Sequence, residues 1–234
     1  MKIFLKITFA FVLLLFTATL AFADDFERDR QRMVRSQIQA RGISDRATLD
    51  AMRAVPRHLY VPYAQRRNAY MDRPLPIGYG QTISQPYIVA YMTEIVSPKA
   101  GDKMLEIGTG SGYQAAVLAE IIKEVYTIEI VRPLGEQAKR VLESSYDNVH
   151  VKIADGYHGW EEHAPFDAIV VTAAAEYIPP PLVEQLKNGG RMIIPVGSPF
   201  QVQQLMLVEK KEDGEITTRS LMPVRFVPFE REKE

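Results

Sequence analysis

Short apolar runs alternate with amphipathic segments through the second half of the chain. The runs are rich in Val, Ile and Ala and predict buried strands, whereas the segments between them carry apolar side chains at helical spacing. The predicted strands are 104–107, 125–130, 149–153, 166–172 and 191–196, and the predicted helices between them are 113–122, 133–144 and 181–186. Strands and helices that alternate in this way favour a parallel sheet with helices on both faces.

Two glycine-containing turns mark the end of this alternation. Gly189-Gly190 is expected to stop the helix at 181–186, and Asp213-Gly214 predicts a tight turn between two further strands at 204–210 and 215–226. The sequence therefore predicts that an antiparallel pair of strands follows the parallel ones.

The first hundred residues follow a different pattern. One helix is predicted at residues 28–40, and a second begins after Ser44 or Asp45 and ends at Pro56. Residues 56–86 contain five prolines and show little periodicity. A loop of that length inside a compact domain usually has a function, so we expect it to contribute to a site.

The amino terminus has the three parts of a secretory signal peptide. Lys2 and Lys6 precede an apolar run at 7–20. Ala21-Phe22-Ala23 then supplies the small residues of a cleavage site. The run is shorter than the ~20 residues that a membrane-spanning helix needs. We expect residues 1–23 to be removed and the domain to be exported, to the periplasm. An uncleaved leader would instead anchor the domain to a membrane, which is the only membrane contact that the sequence predicts.

Composition and charge exclude several classes of protein. The 28 lysines and arginines balance 29 aspartates and glutamates, so the net charge of −1 gives no reason to expect nucleic-acid binding. The chain has no cysteine, which excludes disulfides and thiolate metal sites. The histidines, His58, His150, His158 and His163, lack the spacing of metal ligands on one element, so no metal site is expected.

Three glycines at alternate positions join the strand at 104–107 to the helix at 113–122. Gly108, Gly110 and Gly112 let the backbone turn sharply and approach a ligand at the carboxyl ends of the strands. The spacing differs from the G-x-G-x-x-G of dinucleotide-binding folds because the third glycine comes one residue early. The loop favours a nucleotide site, but by itself it is also compatible with a structural turn or with a dinucleotide oxidoreductase.

Acidic residues are placed at the ends of three predicted strands. Glu106, two residues before Gly108, would face a pyrophosphate unfavourably and suits a cationic ligand such as a sulfonium. Glu129, 21 residues after Gly108, can accept hydrogen bonds from both hydroxyls of a ribose, and Asp155-Gly156 is placed to meet an adenine. Each position alone could be a solvated acid or a simple turn, but together they resemble the motifs of class I S-adenosylmethionine-dependent methyltransferases.

A narrower resemblance lies upstream, in Gly80-Gln81-Thr82-Ile83-Ser84-Gln85-Pro86. This segment resembles the signature of the protein-L-isoaspartate O-methyltransferases. Further matches to that family occur in order at 33–34, 37–38, 41–43, 55–58, the glycine loop, 164–169, 173–175, 185–191 and 224–228. Dispersed motifs in the right order are more specific than any one of them, and these cover nearly all of the chain after the leader.

The resemblance implies a fold, a cofactor and an acceptor. The fold would be α/β, with a Rossmann-like, doubly wound and mostly parallel seven-stranded sheet, helices on both faces and an N-terminal helical extension. Residues 24–234 would form a single methyltransferase domain, with N-terminal helices and a lid loop at 24–100 and a cofactor-binding core at 101–234. S-adenosyl-L-methionine would be the cofactor, and the acceptor would be the free α-carboxylate of L-isoaspartyl residues in damaged proteins or peptides.

The family's functional residues carry over to particular positions of this chain. Ser84 is implied as the catalytic-site serine. The residues implied to contact the cofactor are Thr82, Ile83, Gln85, Glu106, Gly108, Gly110, Ser111, Gly112, Glu129, Asp155 and Gly156. The chain departs from the family at Ile130, where an arginine usually follows the ribose-binding acid, and in its leader, because the family is cytoplasmic by default.

Two other functions stay compatible with the sequence. One is a methyltransferase of the same fold that acts on another carboxylate or a small molecule, and the other is a non-catalytic binding protein that retains the fold. The lack of a Ser-His-Asp arrangement is no argument against catalysis, because an acceptor carboxylate is already ionised at neutral pH. Tyr79 and Tyr87 flank the Ser84 segment and are candidates to line a peptide groove.

Overall fold

The computed structural model describes residues 25–198 and 201–232. The predicted signal peptide at residues 1–23 lies outside the described residues. Within the part of the chain that is described, no helix is both long enough and apolar enough to cross a membrane.

Helices precede and then alternate with strands. The α-helices are α1 (25–33), α2 (Arg46–Ala54), α3 (Pro86–Ile95), α4 (Tyr113–Ala119), α5 (Arg132–Glu143) and α6 (Pro180–Glu184). The strands are β1 (Leu75–Gly78), β2 (Gln81–Ile83), β3 (Lys103–Ile107), β4 (Glu124–Glu129), β5 (Val149–Ile153), β6 (Phe166–Val171), β7 (Leu186–Val196), β8 (Gln203–Lys210) and β9 (Ile216–Val224).

Strands β3 to β9 form one sheet in the order β5-β4-β3-β6-β7-β8-β9. Strands β3 to β7 are parallel, and β8 and β9 pair antiparallel to their neighbours. The chain enters at β3, moves outward to β5, and returns to the other side of β3 at β6. Open α/β sheets bind ligands where the strand order reverses, so the carboxyl ends of β3 and β6 are the expected site. The mostly parallel, seven-stranded Rossmann-like fold predicted from the sequence is confirmed.

Alternate residues of the central strands pack into two separate hydrophobic cores. Met104 and Val170 pack with residues of α3, α4 and α5, whereas Leu105 and Ile169 pack with residues of α6 and the turns after β5. All four side chains are fully buried, and burial of each contributes about 1.5–3 kcal/mol. The cover on the second face is thinner, because α6 has only 5 residues.

The N-terminal helices use local signals to begin and end. After α1 the chain continues through a π-helical turn, Val34–Ile38, and a 3-10 turn, Gln39–Arg41, and ends at Gly42 with a φ of 100°. Glycine is the residue that adopts this left-handed conformation at least cost. The Asp45 carboxylate accepts a hydrogen bond from Thr48 N at 2.7 Å and caps α2, as the sequence predicted.

The hydrophobic pattern does not reveal α3. Tyr87 and Met92 are buried along with most of this helix, so no polar stripe gives it a helical period. Pro86 starts the helix, because its fixed φ suits a first turn that needs no N–H from that residue. The helix matters for function because Ser84 and Gln85 immediately precede it.

Two local predictions are wrong. The segment 56–86 is not one irregular loop, because it folds into 3-10 turns and the antiparallel β1–β2 hairpin. The pair Gly189-Gly190 does not stop a helix, because α6 ends earlier and β7 runs through both glycines from Leu186. The register shifts there, Gly189 has a φ of 78°, and a Cβ on Gly190 would lie 2.7 Å from the Lys187 carbonyl. Glycines inside a strand mark such a bulge.

Candidate active site

The cleft at the carboxyl ends of β3, β4 and β6 consists of two adjacent cavities. The glycine-loop groove is lined by Gln81, Thr82, Ile107, Gly108, Gly110, residues 128–131, Gly156, Thr172, Ala173 and residues 227–230. The serine pocket, with a volume of about 380 Å³, is lined by Pro74, Thr82, Ser84, Gln85, Ile88, Thr172, Val202 and residues 223–227. Thr82, Thr172 and Val227 line both cavities, so the two cavities adjoin at these residues.

The glycine loop turns directly from β3 into α4. All three glycines have positive φ values, 93° at Gly108, 54° at Gly110 and 86° at Gly112. Gly108 and Gly110 line the groove, whereas Gly112 packs against Leu142, whose side chain would lie 3.0 Å from an added Cβ. Ser111 does not line the groove either, and its hydroxyl accepts a long hydrogen bond of 3.4 Å from a backbone N–H. The ligand-facing part of the loop is therefore Gly108 to Gly110.

Glu129 ends β4 beside this loop. Its carboxylate is 5% exposed, lines the groove, and accepts hydrogen bonds from Gly110 N at 2.7 Å and Val131 N at 2.8 Å. Burial raises the pKa of Glu129, although these backbone hydrogen bonds act in the opposite direction. A carboxylate has about four acceptor positions, so two remain for hydroxyl groups of a ligand.

Glu106 lies beneath the loop and does not line the groove. Its side chain is 0% exposed, and its Oε2 accepts a hydrogen bond of 2.5 Å from the Thr127 hydroxyl, which in turn contacts the Thr109 hydroxyl at 2.6 Å. Its Oε1 has no partner among the described residues. Burial raises the pKa of Glu106 to about 8, although the Thr127 bond lowers it. The residue predicted to face a cationic ligand is thus a buried support of the loop.

Asp155 and Gly156 follow β5 at the other end of the groove. Gly156 lines it, and a Cβ there would lie 2.5 Å from Ile107. The Asp155 carboxylate accepts hydrogen bonds from Tyr157 N at 2.9 Å and from Arg231 Nε at 2.8 Å. Burial alone would raise the pKa of Asp155, but these hydrogen bonds and the arginine charge lower it overall. The acid expected to meet an adenine is therefore also bound by the C-terminal segment.

The Ser84 segment separates the two cavities. Thr82 lines both of them, Ser84 and Gln85 line only the serine pocket, and Ile83 is 4% exposed and packs into the core. The Ser84 carbonyl accepts a hydrogen bond of 2.7 Å from Arg57, while the Ser84 hydroxyl has no hydrogen-bond partner within the described ranges. That hydroxyl is available to a molecule in the pocket.

The sequence that carries the loop, the strand-end acids and the serine matches a known enzyme family. The model of the family described as protein-L-isoaspartate(D-aspartate) O-methyltransferase (PCMT) matches residues 28–234. The chain belongs to this family. Its two cavities are therefore those of a family member, and the resemblance stated from the sequence is confirmed.

Named relatives agree with the family model. A protein-L-isoaspartate O-methyltransferase of Opitutus terrae is 58% identical over 225 residues, 96% of each chain. Protein-L-isoaspartate O-methyltransferase 2 of a Polaromonas species is 62% identical over 186 residues, 79% of this chain and 88% of the relative.

Solved structures of the family share the fold. A protein-L-isoaspartate O-methyltransferase with 30% identity superimposes with a TM-score of 0.76, over 85% of this chain and 65% of its own length. A Plasmodium falciparum structure of the family, in complex with S-adenosyl-L-homocysteine, has 26% identity and a TM-score of 0.75, over 87% of this chain and 99% of its own.

Sequence reasoning missed three contributors to the cleft of this family member. The Thr172 hydroxyl donates to the Gly108 carbonyl at 2.7 Å and fixes the loop to the end of β6. Arg225 is the one charged residue among those described that line the serine pocket. Residues 227–230 line the groove. The family match at 224–228 indicated that this segment matters. The spacing of residues along the sequence does not indicate that the end of the chain lies beside the groove.

Tyr79 and Tyr87 are the residues predicted as candidates to line a peptide groove, and the structure shows where they and His58 lie. Tyr87 is 9% exposed, and the Arg41 guanidinium covers its ring at 3.4 Å from the ring centroid. Tyr87 therefore does not line a peptide groove. Tyr79 is 62% exposed between β1 and β2. His58 stacks on Phe26.

In residues 25–198 and 201–232, no three His, Asp or Glu side chains form a group that could hold a metal ion.

Proposed function

We propose that the glycine-loop groove holds S-adenosylmethionine and that the serine pocket receives the free α-carboxylate of an L-isoaspartyl residue. As a member of its family, the chain is a methyltransferase that uses this cofactor and acts on isoaspartyl sites in damaged proteins. The observation that carries the site assignment is that the two cavities adjoin at Thr82 and Thr172, with the glycine loop on one side and Ser84 on the other.

The residues of the groove suit a positively charged nucleoside. Its described lining includes two acids, Glu129 and Glu230, and no lysine or arginine. These two carboxylates would repel a dinucleotide pyrophosphate, which argues against the oxidoreductase alternative. Gly108 and Gly156 let Thr172 and Ile107 pack directly against the backbone of the groove, because a Cβ at either position would lie 2.5 Å from one of these side chains. Glu129 retains acceptor positions for two ribose hydroxyls.

The chain contributes positioning more than acid–base chemistry. S-adenosylmethionine supplies an activated methyl group, and an acceptor carboxylate is already ionised at neutral pH, so no general base is needed. Ser84 donates a hydrogen bond that orients the carboxylate, and Arg225 is the charge that attracts it. Correct alignment can contribute about 7–11 kcal/mol to lowering a barrier. The nitrogen of the isoaspartyl amide then attacks the ester carbonyl and methanol leaves, which gives a succinimide that water opens in part to normal aspartate.

The test is methylation of an isoaspartyl peptide beside its aspartyl twin, with labelled cofactor and the Ser84→Ala variant. We expect only the isoaspartyl peptide to be labelled. We expect kcat to fall about 10- to 100-fold in Ser84→Ala, the range for a lost hydrogen bond to a charged group, with cofactor affinity kept. Ser144→Ala, an exposed serine after α5, is the matched control. Equal labelling of both peptides would instead support another acceptor, and an unchanged kcat would remove Ser84 from the site.

We also propose that the enzyme is exported and begins at Asp24 after cleavage. Lys2 and Lys6, the apolar run at 7–20 and the alanines at 21 and 23 support this. Cell fractionation followed by intact-mass measurement tests it. A full-length chain in the cytoplasmic fraction would contradict export, and a full-length chain in the membrane fraction would indicate an anchor.

A further inference from the structure

Arg57 is a fully buried cation without a carboxylate partner. Its side chain is 0% exposed, its Nε donates to the Ala69 carbonyl at 2.8 Å, and its Nη2 donates to the Ser84 carbonyl at 2.7 Å. Its Nη1 has no partner among the described residues. The acid that acts on it electrostatically, Asp72, forms its own salt bridge with Arg41 at 2.7 Å.

The guanidinium also contacts the helix that follows the glycine loop. It lies 4.8 Å from the ring centroid of Tyr113, the first residue of α4 and the neighbour of Gly112. Arg57 therefore joins the turn before α3 to the start of α4. These two segments hold Ser84 on one side of the cleft and the glycine loop on the other.

The buried charge of Arg57 lowers the stability of the folded protein. Burial lowers the pKa of Arg57 to about 10, although Tyr113, Tyr70 and Asp72 act in the opposite direction. A buried charge without an ionic partner is destabilising, and an apolar side chain of similar volume would often be better for stability alone. The geometry of the donors suggests what the charge does, because a planar guanidinium fixes two carbonyls in one plane.

We propose that Arg57 is a positioning residue for methyl transfer, which holds the Ser84 turn at a fixed distance from the glycine loop. The proposal rests on the proposed function, because it assumes that Ser84 meets the acceptor. Arg57 is not among the residues that line either cavity, so it acts on the cleft through the Ser84 carbonyl and the Tyr113 ring. Its loss shifts Ser84 relative to the methyl donor and leaves the groove lining in place.

The first test compares Arg57→Ala with Met192→Ala, a fully buried residue of β7 in the other hydrophobic core. Both variants should lower Tm. Only Arg57→Ala should lower kcat, by about 10²-fold, because a misplacement of about 1 Å can have that effect. Its affinity for S-adenosylhomocysteine should stay within about threefold of wild type, since the groove contacts are kept. A loss of kcat no greater than in Met192→Ala, or a parallel loss of affinity, would overturn the proposal.

The second test is chemical rescue of Arg57→Ala, in which added guanidinium occupies the space that the arginine side chain leaves. Guanidinium chloride, at concentrations far below those that unfold the protein, should restore kcat at least partly in Arg57→Ala and not in Ser84→Ala. Absence of recovery with a folded Arg57→Ala variant counts against the proposal. If Arg57→Ala does not fold, Arg57→Lys takes its place, since it keeps the buried charge but not the planar pair of donors. An unchanged kcat in Arg57→Lys would then overturn it.

The double variant separates this proposal from the proposed function. If Arg57 acts through Ser84, its effect on kcat should be mostly lost in the Ser84→Ala background, because coupled residues are not additive. Full additivity would overturn the positioning role and leave the function intact. If Ser84→Ala alone has no effect on kcat, the assignment of Ser84 in the proposed function fails instead.

Discussion

The two walls of the cleft are built from different kinds of contact. One wall of the glycine-loop groove comes from one stretch of chain, residues 103–131, in which Gly110 N donates to the Glu129 carboxylate, 19 residues away. The opposite wall joins distant segments, since the Gln81 side chain donates to Glu230 at 2.9 Å across 149 residues of sequence. A continuous motif therefore shapes one wall of the groove, whereas the opposite wall depends on contacts between distant parts of the fold.

The charged groups of the two walls also differ in burial. Glu106 and Glu129 are 0% and 5% exposed, whereas Arg225 and Glu230 on the other wall are exposed. Interactions of buried charges are screened less by water and salt than those of exposed charges. Substitutions in the first wall should therefore have larger effects than those in the second.

The largest effect is expected from Gly108→Ala. The new Cβ would lie 2.5 Å from the Thr172 hydroxyl oxygen, on a backbone with a φ of 93° that alanine rarely adopts. Strain of this type costs about 1–3 kcal/mol, so we expect the affinity for S-adenosylhomocysteine to fall about 10- to 100-fold. Isothermal titration calorimetry measures it directly.

Gly101→Ala is the matched control for this prediction. A Cβ at Gly101 would meet no atom within 4 Å, and its φ is not positive. We expect that variant to bind the cofactor product as wild type does. A Gly108→Ala dissociation constant within twofold of wild type would show that the loop is not the cofactor's wall.

The same contrast explains how much the sequence could predict. The strand, glycine loop and helix from 103 to 122 were predictable because periodicity and glycine placement are local. The burial of Glu106 was not predictable, because it depends on the contacts of Thr127 with Glu106 and with Thr109 of the loop. The contribution of residues 227–230 was not predictable from spacing, because it depends on hydrogen bonds between Ala174 and the chain end.

A smaller effect, on stability, is expected from Glu106→Gln. Burial raises the pKa of Glu106 to about 8, whereas a glutamate in the unfolded chain has a pKa of about 4.3. Between these values the folded state keeps a proton that the unfolded state has lost, so the free energy of unfolding falls as the pH rises. The slope is at most about 1.4 kcal/mol per pH unit, and Glu106→Gln should remove it.

Urea unfolding of the cofactor-free protein at several pH values between 5 and 8 measures that slope. Glu106→Gln should gain stability relative to wild type as the pH rises. Glu136→Gln, on the exposed face of α5, should leave the slope as it is. Identical slopes in wild type and Glu106→Gln would mean that the buried carboxylate does not hold a proton in this range.

The smallest effect is expected where the two walls meet, at the ion pair between Arg231 and Asp155. The Arg231 side chain is 43% exposed and Asp155 is 6% exposed, so the pair is only partly protected from water. Arg231 also lies 3.7 Å from the ring centroid of Tyr157. These contacts hold the C-terminal residues at the end of the groove that Gly156 lines.

Arg231→Ala should therefore speed release of the cofactor product without changing methyl transfer. Partly exposed pairs contribute about 0.2–1 kcal/mol, so the dissociation rate of S-adenosylhomocysteine should rise about two- to fivefold. Stopped-flow measurement gives this rate, and Arg53→Ala, which removes the Arg53–Asp50 pair on α2, is the control. An unchanged rate would mean that the C-terminal segment only borders the groove. An increase of 100-fold would mean that it carries as much of cofactor retention as the glycine loop, and the contrast between the two walls would no longer hold.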